Sequence, residues 1–201
     1  MIDGTSTKWY SPPDKPIEVY GSKIALAGYH GAGKSCLATK ISKLLNIQLI
    51  PEFARELLEC TEFDWREGKD IHDFETAILS SHLFAVSHNK EFVADRTIVD
   101  IIGYYMWHLY NGRFDCMDKF GEFVRELAFY SADGLYDTIL VFTNGYGNKD
   151  ECGRFVENFI LNCLRNRDFV NIYLKSLKCW HTIGKGNELV FKDFGDKRIK
   201  I

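Results

Sequence analysis

At 201 residues, with 46% apolar and 26% charged side chains, the chain has the composition of one globular domain with a substantial core, not of a disordered or fibrous protein. A net charge of −3 excludes an overall basic field that would draw it onto nucleic acid or an anionic membrane. No apolar run nears the roughly 20 residues of a spanning helix, the polar start MIDGTSTKWYSPPDKP lacks signal-peptide character, and the six cysteines form no C-x-x-C pair; a cytoplasmic protein with reduced thiols and no membrane partner is expected.

In chain order, Pro12, Pro13 and Pro16 keep residues 1–16 extended, an N-terminal arm ahead of a single domain over 17–201. Residues 22–27 form a short apolar run closed by Gly28, which predicts a buried strand; from Lys34 the apolar period turns helical, with Asn46 as the stop. A second strand over 47–50 is cut off by Pro51, and a helix over 52–60, a polar loop over 61–70 and a helix over 71–88 follow. Phe92–Ala94 predicts a third strand ending at Asp95, and Ile98–Tyr110 a long aromatic helix. Beyond the Asn111-Gly112 turn come a helix over 117–130 and the clearest strand, 138–142. A helix over 151–164 and strands over 170–174 and 188–192 complete the order. Strands alternating with helices predict an α/β fold of three layers, a mostly parallel five-stranded sheet with helices on both faces.

The stretch ALAGYHGAGKSCLA, residues 25–38, fits Gly28-x-x-x-x-Gly33-Lys34-Ser35, the phosphate-cradling P-loop. Residue frequencies alone would produce the pattern in roughly one chain in a hundred of this length. It also lies where the loop must, between a strand and a helix start, so that backbone N–H groups and the helix dipole face an anion. Gly28 and Gly33 permit the tight backbone path. Gly28, His30, Gly31, Ala32, Gly33, Lys34, Ser35 and Cys36 are therefore the expected cradle of a nucleoside triphosphate. Lys34 would reach the β- and γ-phosphates and Ser35 would complete a Mg²⁺ shell.

The strand 138–142 leads into Thr143-Asn144, with no acid for a metal; the acidic strand end is Asp95, followed at once by Arg96. With that Asp-Arg pair the sequence resembles the P-loop nucleoside and nucleotide kinase superfamily, of thymidylate-kinase-like type. Glu52-Phe-Ala-Arg55-Glu56 reads most like its nicotinamide-riboside-kinase-like group. The resemblance implies an ATP- and Mg²⁺-dependent phosphotransferase acting on a small nucleoside or nucleotide. It implies an acid near the acceptor hydroxyl at Glu52, a helix from Arg96 to Tyr105 bordering the acceptor pocket, and a small helical lid over about 145–169 bearing Arg154, Arg165 and Arg167 on the triphosphate. Lys34, Glu52, Asp95 and Arg96 are the candidate catalytic residues, Glu52, Arg55, Arg96 and Tyr104 the acceptor contacts, and Ser35 and Asp95 the magnesium ligands. Glu52 or Asp95 could serve as base, with Glu52 favoured by position.

Blander readings stand beside these. Glu52 and Glu56 suit the first turn of a helix on dipole grounds, Asp95 could cap the next helix, and Arg154, Arg165 and Arg167 could be solvated charges. Tyr104, Tyr105, Trp107 and Tyr110 suit helix packing better than base stacking. A GTPase switch is weighed because Asn148-Lys149-Asp150-Glu151 approaches a guanine-reading motif, but its last position is Glu and the D-x-x-G at Asp118 to Gly121 falls inside the helix predicted over 117–130. Asp193-Phe-Gly195 mimics a protein-kinase element without the rest of that set. A kinase acting on DNA or RNA stays open, less favoured given the acidic balance, and so does a non-catalytic nucleotide-binding regulator. A homodimer is compatible with the sequence.

Overall fold

In the computed structural model the described residues are 16–28, 30–62, 68–114, 124, 126–127, 134–143, 150–164, 170–175 and 188–200. Their order is β1 (Ile17–Val19), β2 (Lys23–Gly28), α1 (Lys34–Leu45), β3 (Gln48–Ile50), α2 (Phe53–Cys60), α3 (Gly68–His88), β4 (Phe92–Ala94), α4 (Ile98–Tyr110), β5 (Thr138–Thr143), α5 (Glu151–Leu164), β6 (Val170–Lys175), β7 (Glu188–Phe191) and β8 (Lys197–Lys200). The main sheet has five strands in the order β3-β4-β2-β5-β6, every pairing parallel. The chain runs first to one side of β2 and then to the other. Its order therefore reverses at the carboxyl end of β2, the place where open α/β sheets bind ligands.

Side-chain alternation along β2 builds two cores. Ile24 and Leu26 face α1, packing with Leu37, Ala38 and Ile41, while Ala25 and Ala27 face the layer of α3, α4 and α5. The central segments are fully buried, and each large aliphatic side chain so covered contributes about 1.5–3 kcal/mol. α1 starts at Gly33 (φ 90°) with no side-chain cap and no acid in its first turn, and ends at Asn46 in the left-handed region (φ 59°). That start leaves its N–H groups suited to an anion. α4 starts on a capping box: Thr97 Oγ1 accepts from Asp100 N (3.1 Å), and Asp100 Oδ2 accepts from Thr97 N (3.3 Å).

The expected strands all appear, with shifts of a residue or two, but helix α3 begins earlier than predicted, at Gly68 inside the expected loop. A three-stranded sheet, β1-β7-β8, was not foreseen; β1 pairs parallel with β7 and β8 antiparallel to it. It covers the α1 face with Val19, Leu189 and Phe191, so that face is shared between a helix and a small sheet. The arm over 1–15, most of the helix expected over 117–130 and the outer parts of the lid lie outside the described residues. None of the described helices is long and apolar enough to cross a membrane.

Candidate active site

Gly28 ends β2 with φ 135°, a conformation open to glycine alone in practice, and a Cβ there would stand 2.7 Å from the Phe142 carbonyl oxygen. Its N–H donates to Asp100 Oδ1 (3.1 Å). Its carbonyl accepts from Lys34 Nζ (2.7 Å) and from an Arg96 Nη (3.1 Å), so two cations converge on one oxygen. Lys34 is buried, and burial followed by repulsion from Arg96 holds its ammonium well below the ordinary lysine range, against the pull of Asp100, Asp95 and Glu52. A polyanion at the start of α1 would add negative charge beside this ammonium.

Asp95 follows β4, buried, with its N–H bonded to Ile50 O (2.9 Å) across the edge strand. Its carboxylate takes a hydrogen bond from Ser35, while Oδ1 is buried without a partner among the described residues. Burial pushes its carboxyl above the ordinary range despite that bond and the nearby Arg96 and Lys34. A Ser hydroxyl beside an orphaned carboxylate oxygen is a hard-oxygen donor set, the kind that fits Mg²⁺.

Arg96 is 7% exposed and joins the loop to the next element. Its Nε donates to Glu52 Oε1 (2.9 Å), and its guanidinium carbon lies over the Tyr104 ring, 5.4 Å from the ring centre. Glu52 stands at the N-cap of α2 but does not cap it; its carboxylate turns to Arg96 instead. Burial pushes that carboxyl up, yet Arg96, then Lys34 and Arg55, overcome burial and hold it below the ordinary range. Arg55 sits 3.8 Å from Glu52 with its side chain 69% exposed, at the mouth of the site. Tyr104 Oη and His30 Nδ1 lie 3.3 Å apart, tying α4 to the loop, and burial pushes the tyrosine hydroxyl up to about 12.

Beyond this cluster opens a cavity of about 240 Å³ between α2, α3 and α4. His30, Glu52, Arg96 and Tyr104 of this cluster line it, and Phe53, Phe74, Ile78 and Ile101 make apolar walls. Glu75 and His82 of α3 supply the remaining polar groups. Sequence reasoning missed both, and missed Asp100, the buried acid that holds Gly28 in place. A signal for the α3 pair existed. Ile71, Phe74, Glu75, Ile78, Leu79, His82 and Val86 form one buried stripe at helical spacing, so two of its positions carry polar groups on an apolar face.

Loop and strand-end candidates thus meet: Gly28, Lys34, Ser35, Glu52, Asp95, Arg96 and Tyr104 form one contact network. His30, expected on the phosphate, instead faces Tyr104 and the cavity. Gly31 and Ala32 form the turn before Gly33, and Cys36 is exposed on α1. Arg154 lies on α5 with its side chain exposed, and Arg165 and Arg167 lie outside the described residues. Of the other aromatics of α4, Tyr105 is core and Trp107 and Tyr110 pack on Phe155. Asp193-Phe-Gly195 belongs to a 3-10 turn in which Asp193 accepts from Gly21 N, within the small sheet.

A family model described as an AAA domain matches residues 23–143. No curated protein matches the chain in sequence. Among solved structures, deoxyadenosine kinase from M. mycoides with products dCMP and a flexible dCDP bound is similar at TM-score 0.57 and 15% identity, over 77% of this chain and 90% of that one. The same enzyme with bound dCTP superposes at TM-score 0.55, with the same identity and coverage. At that identity the likeness establishes the fold, which is that of the P-loop nucleoside kinases.

Proposed function

Since the chain belongs to the AAA domain family and has the fold of a P-loop nucleoside kinase, we propose that it transfers the γ-phosphate of ATP to a hydroxyl of a nucleoside. The observation that carries this reading is Arg96, which bonds to the carbonyl of Gly28 in the phosphate loop and to Glu52 at the mouth of the cavity. Donor loop and acceptor pocket therefore meet at one guanidinium. Phosphoryl transfer asks the protein chiefly for positioning and positive charge, and this arrangement offers both.

In this reading the N–H groups at the start of α1 and Lys34 hold the triphosphate. Ser35 and Asp95 would hold Mg²⁺, which when bound neutralises charge on the β- and γ-phosphates. Glu52 accepts a hydrogen bond from the acceptor hydroxyl and aims it. Its lowered basicity suits orientation better than strong proton abstraction, the task for which a carboxyl tuned toward neutrality is preferred. Arg96, its guanidinium fixed by Glu52 and Tyr104, stabilises charge on the migrating group. A nucleoside is favoured over a monophosphate because Glu52 would set a carboxylate against the incoming phosphate. The narrow, largely apolar cavity favours a free nucleoside over a nucleic-acid strand.

Incubation with γ-labelled ATP or GTP and a panel of nucleosides, monophosphates and oligonucleotides tests the reading. Label is expected on a nucleoside. Lys34→Ala should lower transfer on the order of 10²–10³-fold, and Glu52→Gln should lower kcat on the order of 10²-fold while ATP binding is kept. Hydrolysis of GTP without transfer to any acceptor would sink the kinase reading, and an unchanged kcat in Glu52→Gln would show that Glu52 does not orient the acceptor hydroxyl.

A further inference from the structure

We propose that Glu75 and His82 form the recognising end of the cavity, with the Glu75 carboxyl acting as donor and acceptor at once toward a ring edge that carries an acceptor beside a donor. Adenine and cytosine present such an edge, a ring nitrogen next to an exocyclic amino group. The identity of the ring rests on the nucleoside-kinase reading; the hydrogen-bonding character of the site does not.

Glu75 is 6% exposed and lines the same cavity as Glu52 and Arg96. Among the described residues, His30, Glu52, His82, Arg96 and Tyr104 line the same cavity, and of these only Arg96 carries an opposing charge that acts on it. From α4, His108 Nε2 stands 3.6 Å from Oε1, beyond a proper hydrogen bond, and burial and then Arg113 lower that imidazole, so the contact is no ion pair. Arg96 pulls the carboxyl down, but less than burial pushes it up. From α5 comes the Cys152 thiol, itself pushed up to about 12 by burial, then by Asp150 and Glu75. Burial therefore leaves the Glu75 carboxyl protonated at neutral pH, pushed up to about 8, with one O–H and one C=O to offer.

His82 is fully buried and its protonation is settled by its neighbours. Tyr136 Oη accepts the N–H of Ile98 (3.1 Å) and lies 2.9 Å from His82 Nε2. The tyrosine hydrogen therefore goes to Nε2, and the imidazole carries its own proton on Nδ1. Burial pushes this histidine down to about 3, so it stays neutral. Its Nδ1–H is buried with no partner among the described residues, on a residue that lines the cavity. A buried donor left unmade is costly, and a ligand acceptor would offset that cost. Phe53 and Phe74 on the same walls give a flat ring apolar faces to pack against.

The test uses the full chain with 2′-deoxyadenosine and 2′-deoxycytidine, whose rings do not titrate between pH 7 and 9. Binding is followed by calorimetry without ATP, and transfer by steady-state kinetics with it. Wild-type affinity should fall about tenfold from pH 7 to 9 as Glu75 ionises. Glu75→Leu should raise KM at least tenfold with kcat changed a few-fold at most; Glu75→Gln, which keeps a donor and an acceptor at every pH, should restore most of the affinity and flatten the profile. A thermal melt of each variant verifies folding. Unchanged KM in Glu75→Leu, or affinity that rises toward pH 9, overturns the proposal while transfer to nucleosides leaves the kinase reading standing. Binding that falls with pH in this way, without transfer, supports the proposal and removes the kinase reading alone.

Discussion

Glu75→Gln should stabilise the fold, and the gain should depend on pH in a calculable way. In the unfolded chain this carboxyl loses its proton near the ordinary value of 4.5, whereas the folded chain keeps it until about 8. A folded-state value raised in this way means stability that is fully present below 4.5 and is lost progressively as pH rises to about 8. At about 1.4 kcal/mol per pH unit, the interval from 4.5 to neutrality costs the wild type about 3 kcal/mol. Glutamine has no proton to lose, and its amide fills the same space with a donor and an acceptor, as the protonated acid does. Urea unfolding of the two proteins from pH 4.5 to 9 should show them nearly equal at the acidic end. The variant should then lead by about 3 kcal/mol at pH 7, with a constant difference once the folded carboxyl has ionised. A difference that does not vary with pH, or a variant weaker throughout, would refute the claim that Glu75 is neutral in the fold.

Two further outcomes follow from the loop. Gly28→Ala combines a φ of 135° with a Cβ 2.7 Å from the backbone oxygen of Phe142, which cannot move aside cheaply, so a loss of about 2 kcal/mol or more in urea unfolding is expected; wild-type stability would show that β2 and β5 separate freely at this point. On the proposed magnesium role, Asp95→Asn replaces the carboxylate beside Ser35 by a neutral amide, and the Mg²⁺ concentration for half-maximal transfer should rise at least about tenfold. An unchanged metal response would take Asp95 out of the metal site.

How much of this was legible depends on what kind of signal each residue leaves. The five strands of the main sheet read directly, because each is a short apolar run stopped by Gly28, Pro51, Asp95 or a polar turn. Glu52, Asp95 and Arg96 were readable because in a parallel sheet the residues after successive strands gather at one edge. Asp100 was hidden by its dual service: an acid in the first turn of a helix needs no further explanation, yet this one also holds Gly28 N–H from 72 residues away. Glu75 and His82 fall within a helix read only from the spacing of its apolar residues, and it is the fold that places both on its buried stripe and in the cavity. The small sheet escaped because β1 pairs with β7 across nearly the whole chain, and no local period encodes a partner that distant.

That distant pairing sets an order of assembly. Val19 reaches its partner Phe191 only after everything between them exists, and Lys197 donates to Leu44 O at the far end of α1 (2.9 Å). During synthesis, then, the outer face of the phosphate-loop layer waits uncovered until residues 188–200 leave the ribosome. A chain released before that point would carry every residue of the candidate site and still lack the backing of the helix on which the phosphate loop is built.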